Sequence, residues 1–220
     1  MSEAATTSEP RWRRLPEERP RQILDAALAV FAEHGLAAAR LDDIAKRAGL
    51  SKGTIYLYFP NKEELFREVV RTSVVAFIAR AENVSRNERD PTQSLVAWME
   101  GYWEYLRSPV FPAMHRLIGS ELTSFPDLAE FYATEVIERA QRLVCGILER
   151  GMDTGTFRRM DPLVGARMLS ALFVTHAIWF HQRQCFKNIK NIPADVLLQQ
   201  VSDFFFNAMS PTSTGVSALA

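Results

Sequence analysis

Two cysteines in 220 residues exclude a disulfide framework. Cys145 and Cys185 lie far apart, each inside an apolar helical pattern, and read as reduced structural thiols of a cytosolic protein rather than a redox pair. An excess of charge is missing too: 26 Lys and Arg face 26 Asp and Glu, for a formal net charge of zero. The bulk basicity of a nonspecific nucleic-acid coat protein is therefore absent, and affinity for DNA has to come from local charge. No HExxH, paired CxxC, GxSxG or phosphate-cradling glycine loop occurs, so no enzyme constellation is identifiable. His176 and His181 are five apart and diverge by about 140° on a helix, so they make no zinc pair. No cofactor or metal is expected. The N-terminus, MSEAATTSEPRWRR, has no apolar run after its charges and is no secretory signal. The most membrane-like stretch, Leu163 to Phe180, is interrupted by Arg167 and His176 and falls short of the about 20 apolar residues that span a bilayer. It reads as a buried helix of a soluble, cytoplasmic protein with no membrane partner.

Strand-like alternation is also lacking, whereas helical periodicity runs nearly throughout, so the chain is expected to be all-α. With 47% hydrophobic residues it can build a real core. A first helix is expected from about Glu17 to His34, stopped at Gly35. Long Lys62 to Val84 carries Leu65, Val69, Val70, Val74, Phe77 and Ile78 on its apolar side. Further helices are expected at about Thr92–Arg107, Pro112–Leu122, Asp127–Arg150, Pro162–Gln184 and Ala194–Met209. Prolines 91, 109, 112, 126, 162 and 193 sit at or just before these starts, where a missing N–H costs nothing.

Residues 40–66, RLDDIAKRAGLSKGTIYLYFPNKEELF, carry the most information. Leu41, Ile44, Ala45 and Ala48 recur at three and four and line one helix face. Gly49 suits the left-handed turn that commonly follows a helix, with Leu50 folding back as the apolar contact. Ser51 N-caps the next helix, on which Ile55 and Phe59 share one face while Thr54 and Tyr58 project from another. Lys52 and Gly53 sit at that helix N-terminus, where free N–H groups favour a phosphate. Pro60 ends the helix, and Asn61 with Glu64 makes a capping-box-like start to the next. Two short helices at a tight turn, followed by a third, form the layout of a DNA-reading helix-turn-helix.

The segment resembles the DNA-binding domain of the TetR family of transcriptional regulators. ILDAALAVFAEHG matches the first helix, LDDIAKRAG the second, SKGTIYLYF the reading helix and PNKEELF the opening of the fourth, over about Glu17 to Phe77. The resemblance implies that Lys52, Gly53, Thr54, Tyr56 and Tyr58 lie at the DNA and that Lys62 touches a phosphate. Two positions depart from the family pattern. Arg40 stands where a Thr or Ser usually caps the second helix, so that cap is lost, although an arginine there can reach a phosphate. Asp42 stands where some members carry a base-contacting residue; complementing the helix dipole is the preferred reading, acceptance from cytosine N4 the other. The family implies a homodimer on an inverted-repeat operator in double-stranded DNA, and a C-terminal pocket for a small effector.

The expected domains are an arginine-containing arm at 1–16, the DNA-binding domain at 17–77 with its helix-turn-helix at 40–59, an effector-binding and dimerisation domain at 78–209, and a disordered tail at 210–220. The arm carries Arg11, Arg13, Arg14, Arg19 and Arg21 around Trp12 and Pro16; a minor-groove role and a solvated tail are equal readings. Trp98, Tyr102 and Tyr105 follow i, i+4, i+7 spacing, with Trp103, Phe111, Phe125, Phe131 and Tyr132 nearby. Such a stripe serves a core or walls a pocket for a hydrophobic effector. His115, Glu121 and His176 are the polar groups nearest that reading. Phe173 and Phe180 lie on one stripe of the penultimate helix, and Phe204, Phe205 and Phe206 fan over roughly 200° of the last. This excess of apolar surface points to a dimer interface through Phe173, Phe180, Phe204 and Phe205. The expected function is a repressor released by a small hydrophobic effector. Its rival is a DNA-binding module with no effector, which would show a small or collapsed interior.

Overall fold

The computed structural model describes residues 18–185 and 192–211. The arm arginines Arg11, Arg13 and Arg14, and the tail from residue 212, lie outside them. Among the described residues every regular element is helical, and they form two compact units that divide between Val69 and Val70.

The first unit holds α1 (Glu18–Ala38), α2 (Leu41–Arg47), α3 (Lys52–Tyr58) and the start of α4 (Lys62–Val70). Its core is Ile23, Ala27 and Phe31 of α1, with Leu36, Ile44, Ile55, Leu65 and Phe66, all fully buried. The Phe31 and Phe66 rings meet edge-on at 6.1 Å. Gly35 breaks α1 with φ 79° and ψ 168°, so the first helix proper ends where the sequence placed its stop. The α2–α3 turn is closed by the Leu50 N–H on Ala45 O at 2.9 Å and the Gly49 N–H on Lys46 O at 3.1 Å. This is the pair of bonds of a left-handed helix stop, and Gly49 takes the φ of +67° it requires. Ser51 Oγ accepts from the Thr54 N–H, and Asn61 Oδ1 from the Glu64 N–H at 2.7 Å, so both expected caps form. Arg40 caps α2 without a side-chain bond.

The second unit begins with a wide, π-type turn, Arg71–Val75, and continues through α5 (Ala76–Asn87), α6 (Pro91–Arg107), α7 (Val110–Ser120), α8 (Pro126–Tyr132), a second π-type turn (Ala133–Glu138), α9 (Arg139–Asp153), α10 (Pro162–Gln182) and α11 (Ala194–Met209). Leu95, Met99 and Leu106 of α6, Ile147 and Leu148 of α9, Leu169 and Phe173 of α10 and Phe205 of α11 form its core. Starts are capped as composition dictates: Asp161 Oδ1 accepts from the Leu163 and Val164 N–H groups ahead of Pro162. The end of α11 is satisfied from outside, because Arg158 donates its backbone N–H to Met209 O at 2.8 Å and its Nε to Ala208 O at 2.6 Å.

Two expected helices form as unbroken helical runs, each with a wide turn inside it and a later end. Lys62–Val84 is α4 and α5 around the first π-type turn and reaches Asn87; Asp127–Arg150 is α8 and α9 around the second and reaches Asp153. The two wide turns pack against each other, and the Arg71 guanidinium lies 5.2 Å from the centre of the Phe131 ring. A tertiary pairing of this kind leaves no mark on apolar periodicity, since a π turn adds one residue without changing residue type.

Gly151 in α9 is required by packing. A β-carbon there would stand 2.0 Å from Cδ2 of Phe157, whose N–H bonds back to Gly151 O at 2.9 Å. Gly151→Ala is expected to destabilise the protein by about 1–3 kcal/mol through overpacking. Phe157→Leu in the same chain should recover part of that loss. Urea unfolding of the two single variants and the double variant reads both effects, and a neutral Gly151→Ala would contradict the packing.

Candidate functional site

In the first unit α3 presents one face to solvent. Lys52, Gly53, Tyr56, Leu57 and Tyr58 are exposed while Ile55 is fully buried, because the apolar residue that fixes the helix repeats on the opposite side. Leu57, at 84% exposure, is the most exposed large apolar residue of this face, and sequence reasoning had passed over it. Near the C-terminal end of α3, a leucine held out in water offers the apolar contact that a thymine methyl accepts in a major groove. Lys52 Nζ bonds Asp42 Oδ2 at 2.8 Å and lies 5.9 Å from the centre of the Tyr56 ring. That carboxylate holds the lysine's pKa above its ordinary value. Asp42 therefore has a partner that neither reading of it had supplied. Thr54 Oγ1 shares a hydrogen bond with Ser51 Oγ at 2.8 Å. Lys62 Nζ donates to Ala37 O at 2.7 Å and Ala39 O at 3.4 Å, tying the start of α4 to the end of α1.

The second unit contains an apolar cavity of about 320 Å³. α5 contributes Phe77 and Ile78, α6 Trp98, Tyr102 and Tyr105, α7 Phe111, Met114 and His115, α8 Tyr132, α9 Ala140 and Gln141, and α10 Ser170. No Lys, Arg, Asp or Glu lines it. Trp98 stacks on Tyr102 at 4.6 Å, and Phe77 on Tyr105 at 5.7 Å. Burial pushes the Tyr102 phenol up to about 12, against the opposing pull of its bond to Ser170. Tyr105 and Tyr132 are raised further, again first by burial. All three phenols stay neutral at physiological pH, and the wall adds a few hydroxyl, amide and imidazole groups to its apolar surface. Among the described residues no cluster of His, Cys, Asp and Glu is arranged to hold a metal ion.

Comparison with known proteins agrees with both halves of this geometry. The family of bacterial regulatory proteins of the tetR type matches residues 23–69, and the C-terminal domain of AefR-like transcriptional repressors matches residues 93–208. The chain belongs to the TetR family. A fatty acid metabolism regulator of Bacillus subtilis is 29% identical over 161 residues, covering 70% of this chain and 80% of the relative. The transcriptional repressor KstR of Rhodococcus jostii is 27% identical over 179 residues, covering 80% and 79%. The crystal structure of FadR of Bacillus subtilis in complex with stearoyl-CoA has the same fold, with a TM-score of 0.69, 24% identity and coverage of 86% of this chain and 98% of that one. As a TetR-family member the protein is a ligand-responsive, DNA-binding transcriptional regulator.

Against that architecture the candidate residues divide. Trp98, Tyr102, Tyr105 and His115 line the cavity. Trp103 does not: it is 2% exposed and its Nε1 donates to Ala194 O at 3.0 Å, fastening α6 to α11. Glu121 sits at the C-cap of α7, and His176 packs edge-on against Trp179, 5.3 Å between ring centres, with burial lowering its pKa. Neither is in the cavity wall. Of the proposed interface phenylalanines, Phe173 and Phe205 are buried in the core of the unit and have no surface to offer a second chain. Phe180 is flanked by the Arg107 and Arg183 guanidinium groups. Phe204, at 63% exposure, faces water. On these two helices the exposed large apolar residues are Leu163, Val164, Met168 and Trp179 of α10, with Val196 and Phe204 of α11.

Lys62 has a structural duty that operates without DNA. Lys62→Met is expected to lower the stability of the free protein by about 1–2 kcal/mol, since a charge-assisted bond to the α1 carbonyls is lost. Urea denaturation in the absence of DNA checks this, and an unchanged midpoint would show that the bond contributes nothing.

Proposed function

We propose that the protein is a cytoplasmic homodimeric repressor that holds an inverted-repeat operator through α3 of each subunit and leaves it when an effector with an apolar body fills the cavity of the second unit. The observation that carries the effector reading is the cavity itself: enclosed by six helices, aromatic-walled, without a charged side chain. An effector-free module has no use for such a space, and a collapsed interior would be the more stable solution. The fatty acid regulators among its relatives, one of them seen with stearoyl-CoA, support an effector built on a fatty-acyl chain.

On the DNA side, Tyr56, Leu57 and Tyr58 are the base-reading candidates, with Thr54 and Gly53 close to the backbone. Arg40, Lys52 and Lys62 supply phosphate contacts, Lys52 by exchanging Asp42 for a phosphate. We place the functional boundary at Val69–Val70 rather than at Phe77. Support comes from Val74 and Phe77, which line the cavity. The dimer interface is assigned to the exposed stripe of α10 and α11. Val164, Met168, Ala171, Thr175 and Trp179 recur at three and four along α10, and small residues at the centre of that stripe allow close helix approach.

Footprinting on the DNA beside its own gene should protect two half-sites about one helical turn apart, roughly 34–36 Å. Met168→Glu with Phe204→Glu should sediment as a monomer and lose that footprint. Lys52→Ala should weaken every DNA sequence alike and reduce the slope of log affinity against log salt by about one. A protected single half-site, or a fully active monomer, would remove the dimer from the proposal.

A further inference from the structure

Beyond the cavity, α5 and α9 enclose a second concavity of about 650 Å³ lined by Arg86, Arg89, Arg142 and Arg150, with Glu82, Ser85 and Glu88. Its carboxylates do not neutralise it. Glu82 is held by both of its oxygens, each 2.7 Å from the Arg139 guanidinium, and that pair lowers the Glu82 pKa. Glu88 Oε1 accepts the Asp90 N–H at 2.9 Å. Arg150 is oriented by its Nη2 bond to buried Ser85 Oγ at 3.0 Å. Arg142 reaches Glu138 at 3.4 Å as an exposed pair, and Arg86 and Arg89 are exposed, Arg86 adding to the positive field that lowers the Glu82 pKa. Four guanidinium groups thus converge on a groove with one unpaired acid.

The groove and the cavity share walls. Gln141 and Val144 line the cavity while their neighbours Arg142 and Leu143 line the groove; Ile78 lines the cavity and Glu82, one turn on, lines the groove. From Ile78 to Arg86 the α5 axis advances about 12 Å, at about 1.5 Å per residue, and Arg89 follows in the turn after the helix. The Glu82–Arg139 pair stands at the junction. An uncharged apolar chamber thus opens beside a strip of arginines, the residue type whose planar fork best matches phosphate oxygens.

We propose that this groove binds the extended, polyphosphate-bearing headgroup of the effector whose apolar body occupies the cavity, an acyl thioester of coenzyme A being the chemistry that fits both. The assignment rests on the effector reading above and adds to it a separate anionic site. A single phosphate would use one or two of the arginines, whereas four along one groove suit several phosphate groups on a long linker.

The test uses the full-length protein and the intrinsic fluorescence of its tryptophans, Trp98 being in the cavity wall. Three series of eight to sixteen carbons are titrated: acyl-CoA thioesters, alkyl phosphates and primary alcohols. The thioesters should bind tightest, by roughly tenfold or more over the alcohols at low salt, with the advantage shrinking as salt rises. Arg86→Glu with Arg89→Glu should cut thioester affinity by a similar factor while alcohol affinity holds, which also shows that the cavity remains folded. Equal affinity of thioesters and alcohols, or a double variant that binds thioesters as the natural chain does, would overturn the headgroup site. Alkyl phosphates matching the thioesters would overturn its polyphosphate character. If no series, alcohols included, perturbs the fluorescence, the cavity is not an effector site and the reading beneath this one falls as well.

Discussion

Residues 62–87 have to satisfy two hydrophobic cores at once. Leu65, Phe66 and Val69 are buried in the unit that carries the recognition helix, and Val74 and Ile78 in the unit that holds the cavity. Each core is worth keeping on its own: a fully buried leucine or phenylalanine contributes about 1.5–3 kcal/mol. A single run of helical backbone supplies residues to both. The wide turn at Arg71–Val75 lies between the two sets. Such turns carry looser hydrogen bonding than an α-helix and recur where a helix has work to do beyond support.

Electrostatics follows from the same division. A chain with no net charge reaches DNA only by arranging local charge, and the arrangement is held in check internally: Lys52 is occupied by Asp42, and Lys62 by the carbonyls of Ala37 and Ala39. The exposed Lys52–Asp42 ion pair holds little stability, so its carboxylate can be exchanged at small cost. In the second unit the opposite policy holds. The cavity wall has no Lys, Arg, Asp or Glu and keeps its phenols neutral, while the nearby arginines remain at the surface, where their charge is solvated.

Local chemistry is what a sequence displays best, and the helix-turn-helix shows it. Gly49, Ser51, Asn61 and Pro60 act on neighbours within five residues, so their roles could be read without any tertiary knowledge. The cavity was half legible. The i, i+4, i+7 spacing of Trp98, Tyr102 and Tyr105 put those rings on one face, and that face does line the space. Trp103, next in line, points elsewhere because its N–H is spent on Ala194, 91 residues away. The same limit governs the phenylalanines of α11. Three in a row must diverge, but only packing decides that Phe205 goes inward and Phe204 outward. The two π-type turns were not legible at all, since a wide turn changes no residue type and the two meet only in the folded chain. The arginine groove is assembled from α5 and α9, distant in sequence, and each arginine alone looks like an ordinary exposed charge.

For a ligand to release DNA it must bind one state of the protein better than another; affinity without that difference shifts nothing. Under the proposed function, the helical run of residues 62–87, which contributes to both cores, is the segment through which such a difference would have to pass. Coupling of this kind is reciprocal, and the most direct measurement is ligand affinity by calorimetry with and without saturating operator DNA. Operator should weaken ligand binding by the same factor by which ligand weakens operator binding, a factor of about 5 to 150. Equal ligand affinity in the two conditions would contradict the account, because the cavity and the recognition helix would then belong to one chain without acting on each other.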